Sequence, residues 1–408
     1  MKIDGIYKEE KYRLFESDEN GREINIYTLT DTIPTGESLH YPNILLSKFH
    51  TTPTLINPLD EKIMSLEKVD EVIEFESDGL FDLSEIDYVE SIPVFFFIYN
   101  TDNYFHFIYD TLPYLISYFK LKEDNPKLKL LMNWPNSGKN SHYKFVTELL
   151  SILGISEDDI VIVDEHTIYS KMYISGSYTH GIDSNLPPRN ELSILYRGIV
   201  DKVRNDDVHP KKVYISRRSW VHGDTSNMGT NYTTRRKLVN EDELVLMLEN
   251  DGYVEIFTET MSMVDKINLF SNADKIIGPI GGGLVNSLFS KEGCELISIM
   301  SPGFLNINQR FIFSINNVNL TLFEDVEHTE KTYLKSYMRV SVDGIVGEVT
   351  EVNGDSAKVT YSDVSVAGWN NDIEFKTKSV RVDECIKLDD GLNSPWSMNL
   401  DKFKEECL

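Results

Sequence analysis

The chain has 408 residues, of which 41% are hydrophobic and 26% charged. That is enough apolar material for two cored domains and a smaller module, because a single core stops growing at roughly 250–300 residues. The formal net charge is −26. A surface of that sign excludes nucleic acid and anionic lipid as general partners, and any phosphate-bearing ligand must find a local basic island.

The cysteines, Cys294, Cys385 and Cys407, show neither CxxC spacing nor a pairing pattern. Neither a disulfide framework nor a structural zinc site is indicated. The stretch that begins Met1-Lys2-Ile3-Asp4-Gly5 is acidic and polar, with no apolar targeting core. The longest apolar run, Ile92-Pro93-Val94-Phe95-Phe96-Phe97-Ile98, is too short to span a bilayer. The expectation is a reducing, cytoplasmic protein without a transmembrane segment, in which the sequons at Asn231 and Asn319 carry no weight.

Residues 1–90 mix acidic patches with turn signals and are assigned to the first domain. From Ile92, strand-like runs at 93–98, 128–132, 160–163 and 171–175 alternate with helical periodicity at about 103–120, 141–153 and 189–205. Gly154 stops the second of these helices. The polar stretch 205–210 reads as a hinge, after which the alternation restarts with a strand at 212–216. A helix follows, with Asn240 as its cap, Glu243 at the capping-box position and Gly252 at its end. Then come a strand at 254–257, a helix at 261–272 and a strand at 275–277. A glycine-rich turn feeds a helix near 283–290, followed by a strand at 295–299 and a last helix–strand pair to about 323. Alternation of this kind predicts parallel βαβ units, hence an α/β fold with Rossmann-like domains over 91–207 and 208–335 and a ligand cleft between them. From about 338 the period becomes two, and Asn353-Gly354 is a hairpin signal. Residues 336–408 therefore read as a small β-barrel module, SH3-like, with a tail.

Three constellations carry chemistry. His106 and Asp110 are four apart and share a helix face. An Asp that orients an imidazole makes a general base for an acceptor hydroxyl, although the same pair could simply satisfy itself beside an aromatic core. Pro113 kinks or restarts their helix. Arg217-Arg218 after the strand at 212–216, and Arg235-Arg236-Lys237 before the capped helix, form the basic island. Their forks suit diphosphate oxygens, and surface salt bridges are the alternative. Gly278-Pro279-Ile280-Gly281-Gly282-Gly283-Leu284-Val285-Asn286 would offer bare amides to an anion, with tight helix–sheet packing as the alternative. It is not a GxGxxG fingerprint, which disfavours a nicotinamide oxidoreductase. HExxH, GxSxG and Asp-x-Asp are absent. Without the last, cationic side chains and a helix end would have to neutralise a leaving diphosphate.

Taken in order, these pieces resemble glycosyltransferase family 61, the group of O-linked N-acetylglucosamine and plant xylosyl and arabinosyl transferases with bacterial and viral relatives. Its Asn-x-x-His-x-x-x-Asp-x-x-Pro motif is matched by Asn103, His106, Asp110 and Pro113. Its Ile-Ser-Arg strand end is matched by Ile215-Ser216-Arg217, and its Arg pair leading to Asn-Glu by Arg235, Arg236, Asn240 and Glu241. Glu259 matches a Glu before the next helix. Gly-x-His-Gly-Ala-Gly-Leu-x-Asn is matched by Gly278–Asn286, with Ile280 in place of His and Gly282 in place of Ala. Lys266 stands where the family has Gln.

The resemblance implies a GT-B-like fold, with an acceptor domain over 91–207 and a donor domain over 208–335. It also implies inversion at the anomeric carbon, a nucleotide-sugar donor of the UDP kind, and no metal or other cofactor. On the matching positions, His106 or Asp110 would be the base. Arg217, Arg218, Arg235, Arg236 and the amides of Gly281, Gly282 and Gly283 would hold the diphosphate. Glu259 and Asn286 would shape the nucleotide pocket, and Lys266 could replace the missing His. The acceptor would be a glycan or a protein hydroxyl, with the β module holding acceptor or partner. A non-catalytic nucleotide- or carbohydrate-binding protein on the same fold is the rival reading.

Overall fold

The computed structural model describes residues 12–29, 33–35, 38–41, 44–47, 54–57, 62–65, 72–74, 88–99, 101–135, 141–164, 167–179, 187–219, 238–301, 307–324, 339–343, 345–362, 375–387 and 396–408. The chain divides into two compact units, Met1–Lys202 and Val203–Leu408. Both are mixed α/β with parallel strands, as the alternation predicts.

In the first unit, Val94–Phe96, Lys129–Met132, Ile160–Ile162 and Met172–Ser175 form the parallel part of one sheet. Strands covered on both faces become continuous apolar runs, and Val94 to Ile98 are fully buried. Helices Tyr114–Asp124 and Lys144–Leu153 carry the first crossovers. The second buries Phe145, Val146, Leu149, Leu150 and Leu153 and ends at Gly154, whose φ of 84° needs no Cβ. Ile24–Leu29 adds antiparallel to Met172–Ser175, with Ile26 opposite Ser175. Strands from Ile33–Thr35 to Val72–Glu74 form a separate antiparallel meander.

From the first parallel strand, Val94–Phe96, the chain moves to one side through Lys129–Met132 and Ile160–Ile162. It then returns to the other side as Met172–Ser175. The crevice of such a sheet opens at the carboxyl ends where this reversal occurs. Here that lies between Val94–Phe96 and Met172–Ser175.

The second unit holds a fully parallel sheet in the order Val254–Ile256, Lys212–Ile215, Lys275–Pro279, Glu295–Ile299, Asn319–Phe323. In chain sequence this is the doubly wound 2-1-3-4-5 arrangement, with its switch point between Lys212–Ile215 and Lys275–Pro279. Two local expectations are corrected. The helix near 283–290 is the tighter 3-10 turn Gly282–Phe289. The capping box of Glu241–Asn250 does not form, because Asn240 caps nothing with its side chain. That amide instead donates to Met398 O (2.9 Å) and accepts from Met398 N (3.2 Å).

The C-terminal strands make an antiparallel sheet in the order Phe375–Arg381, Ser356–Ser362, Ile345–Asn353, Arg339–Val342, Ile386–Lys387. Asn353 pairs with Ser356 around Gly354, whose φ is 57°. Val340, Val342, Val349, Ala357, Val359 and Val380 form its core. The last residues return to the parallel sheet: Leu238 bridges Trp396, and helix Leu400–Cys407 seats Phe403 edge-on against Phe323 at 5.0 Å. Among the described residues, no helix is long and apolar enough to cross a membrane.

Phe403 is 0% exposed and shares a cluster with Tyr214, Leu248, Ile277 and Ile299. Phe403→Ala should therefore destabilise the protein by about 3–5 kcal/mol, measured by chemical denaturation.

Candidate active site

The motif Asn103 to Pro113 folds as two short turns, with helix Tyr114–Asp124 starting only after Pro113, rather than as the single helix expected over about 103–120. Tyr104–His106 is one α-turn, with the Asn103 side chain accepting from His106 N at 3.2 Å. Phe107–Thr111 is a π-turn, closed by Leu112 N on Phe107 O at 2.8 Å. Pro113, lacking an N–H, cannot serve the Ile108 carbonyl, and the buried Tyr196 hydroxyl donates to it instead at 2.8 Å. Proline thus ends the turn, and tyrosine satisfies the carbonyl that proline leaves behind.

The turn brings His106 and Asp110 together. His106 Nδ1 lies 2.6 Å from Asp110 Oδ2, with side-chain exposures of 39% and 2%. A carboxylate only accepts, so Nδ1 carries the proton of this bond, and in the neutral ring Nε2 holds the lone pair. The second oxygen of Asp110 accepts from Thr179 Oγ1 at 3.3 Å. Thr179 follows Met172–Ser175, and His106 and Asp110 follow Val94–Phe96. The pair is therefore pinned across the switch point of its own sheet. Burial raises the Tyr109 and Tyr196 hydroxyls well above the usual phenol range, and the Asp110 charge raises them further. Both remain neutral donors.

One strand further along, the polar groups continue. Thr101 Oγ1 donates to Asn133 Oδ1 at 3.1 Å, and the His142 ring is hydrogen-bonded to the Asn133 backbone. Burial lowers the His142 pKa to about 4, against the opposing pull of that bond.

In the second unit, Arg217 follows Lys212–Ile215 and its guanidinium lies against Gly281. A Cβ added at Gly281 would stand 2.2 Å from Arg217 Nη1. Burial pulls this guanidinium below the usual arginine range, while Glu241 and Glu259 hold it up. Glu241, 1% exposed, fixes the strand end. Its Oε1 takes Tyr214 OH (2.8 Å), Arg217 N (2.8 Å) and Ser216 Oγ (3.1 Å). The glycines differ in their reasons. Gly278 and Gly283 would press a Cβ onto Ile215, whereas one at Gly282 meets nothing within 4 Å. Ile280, where the family pattern has His, is buried with its N–H on Ile299 O at 2.9 Å. Asn286 is buried and donates to Gly283 O at 2.9 Å. Lys266 is buried in Met263–Asn272, the helix that packs on Gly282–Phe289.

Of the residues singled out from the sequence, the structure thus brings together His106 with Asp110, and Arg217 with Gly281 and Glu259. Arg218 is turned into a fork with Glu255 (both bonds 2.6 Å) and reaches Asp242 at 3.0 Å, so its charge is already matched. Arg235, Arg236 and Lys237 lie outside the described residues. Sequence reasoning missed Glu241 as an anchor, although it was quoted in a motif. It also missed Thr179, whose only signal is a contact formed by folding.

Residues 104–297 match the family model described as Glycosyltransferase 61, a stretch that includes both the His106–Asp110 turn and the Arg217–Gly281 apposition. The protein is a glycosyltransferase. Over that stretch the chain is similar to glycosyltransferase family 61. No curated protein matches the chain.

A pH effect follows from His142. The unfolded chain takes up this proton as pH falls through about 6.5, the folded chain only near 4, so stability drops across that window. His142→Asn should remove about 1–3 kcal/mol of the stability lost between those pH values, read from denaturation curves of both proteins.

Proposed function

We propose that the protein is an inverting, metal-independent glycosyltransferase that moves a sugar from a nucleotide sugar of the UDP kind to a glycan hydroxyl, in cytoplasmic polysaccharide or glycoconjugate synthesis. The observation that carries this reading is the partly exposed His106 ring held by a buried Asp110 at a strand switch point. In the reaction the acceptor oxygen attacks the anomeric carbon as the bond to the diphosphate oxygen breaks. His106 Nε2 accepts the hydroxyl proton, and the Asp110 carboxylate stabilises the resulting imidazolium. The departing diphosphate gains negative charge, which Arg217 and the amides after Gly281 neutralise in place of a metal. Glu259, whose Oε1 is buried without a hydrogen-bond partner among the described residues, is suited to accept a ribose hydroxyl. The fold expected for this chemistry is GT-B, with acceptor in the first unit and donor in the second. The C-terminal sheet, as an SH3-like module, would hold acceptor or partner.

The reading is tested by donor turnover across UDP, GDP and CMP sugars in the presence of EDTA. Turnover should persist with EDTA, and both His106→Ala and Asp110→Asn should lower kcat by roughly 10²–10⁴. A donor turned over equally well by His106→Ala would sink the assignment of the base. At the donor end, Gly281→Ala should displace Arg217 and weaken UDP binding about tenfold by calorimetry. Gly282→Ala, with open space for its methyl, should change binding less than about twofold.

A further inference from the structure

Trp134 follows directly on Lys129–Met132 and is 63% exposed, whereas the other described tryptophan, Trp396, is 8% exposed in a core. An exposed indole leaves a large apolar area in water. Its position is informative. It sits at the carboxyl edge of the parallel sheet, where ligands of such folds bind, on the strand next to the one that leads to His106. A chain of contacts connects the two places. Asn133 is buried beside Trp134, its side chain takes the Thr101 hydroxyl, and Asn103, two residues on, caps the turn of His106.

The chemistry around the indole is that of a sugar-binding surface. A flat aromatic face suits the C–H face of a pyranose ring, and a few fixed polar groups beside it choose among hydroxyls. Asn133 and Thr101 are uncharged. His142, packed on the Asn133 backbone, is neutral at pH 7, and its Nε2 is a buried acceptor without a partner among the described residues. Neutral groups of this kind suit hydroxyls and give an anionic sugar no counter-charge.

We infer that Trp134, with Asn133 and His142, forms a subsite for an uncharged sugar residue of the acceptor glycan. The inference rests on the function proposed above and adds the acceptor's contact surface and charge class. The indole face carries the ring, and Asn133 and His142 receive its hydroxyls, next to the base that deprotonates the reacting one.

The test uses the full chain on an array of uncharged hexose, pentose and N-acetylhexosamine oligosaccharides, with sulfated and uronate-bearing ones alongside. Wild-type protein should bind uncharged glycans, and the best binder should quench tryptophan fluorescence on titration. Trp134→Ala should weaken that binding at least tenfold with an unchanged melting curve, and Trp134→Phe should stay within about threefold while losing the quench. Equal binding by Trp134→Ala, binding of anionic glycans alone, or no binding by the wild type would each overturn the subsite. A wild type that binds uncharged glycans through Trp134 but hydrolyses no nucleotide sugar would sink the proposed transferase reaction while leaving this surface standing.

Discussion

Where neighbouring parallel strands send their crossovers in opposite directions, the carboxyl ends of those strands cannot both be covered. This constraint organises each unit of the protein. In the first unit the uncovered place lies between Val94–Phe96 and Met172–Ser175, and in the second between Lys212–Ile215 and Lys275–Pro279. The residues that carry chemistry are those that leave these strands: His106 and Asp110 with Thr179 in one, Arg217 with Gly281 in the other. The topology creates the opening, and the sequence furnishes it.

In both places a buried carboxylate does the positioning. Asp110 takes the imidazole on one oxygen and a threonine hydroxyl on the other, so the ring keeps one tautomer and one direction. Glu241 gathers a tyrosine, a serine and a backbone amide on a single oxygen and so fixes the strand end from which Arg217 departs. These acids belong to the interior, and donors that the fold supplies reach Asp110 on both oxygens and Glu241 on Oε1. The large negative charge of the chain is a separate matter. It makes Arg217 valuable, and it explains why Arg218, already matched by Glu255 and Asp242, adds little positive potential to that strand end.

The parallel strands and their crossovers were legible from the sequence because burial on both faces turns a strand into a short apolar run. The His106–Asp110 contact was legible because four residues is one helical turn. What escaped is non-local. The pairing of Ile24–Leu29 with Met172–Ser175 joins distant segments and leaves no local trace. The π-turn depends on Tyr196 replacing a donor that Pro113 lacks. Asn240 carries every sequence mark of a helix cap, yet the returning chain at Met398 claims its amide. Trp134 and Asn133 fall in a stretch that reads as a plain strand-to-loop exit, and their meaning comes only from the strand beside them.

The glycine-rich motif shows how two sequence signatures can be one physical object. Gly278 is small because Leu284 and Ile215 press on it, Gly283 because Ile215 and Thr258 do, and Gly281 because Arg217 lies across it. All three therefore face the Ile215-Ser216-Arg217 strand end. Gly281 has an extended φ of 166°, which any residue can adopt, so its requirement comes from the guanidinium rather than from backbone strain. A Cβ at Gly282 would meet nothing within 4 Å, and this is the position where the family pattern has Ala. The motif at 278–286 and the one at 215–217 then constrain each other by direct contact. A side chain at Gly281 would move the arginine, and without the arginine Gly281 would have no steric reason to be glycine. The burial of Ile280 fits the same account: its side chain packs inward while its backbone stays in register with Glu295–Ile299. Losing the family's His at that position leaves the Arg217–Gly281 contact in place.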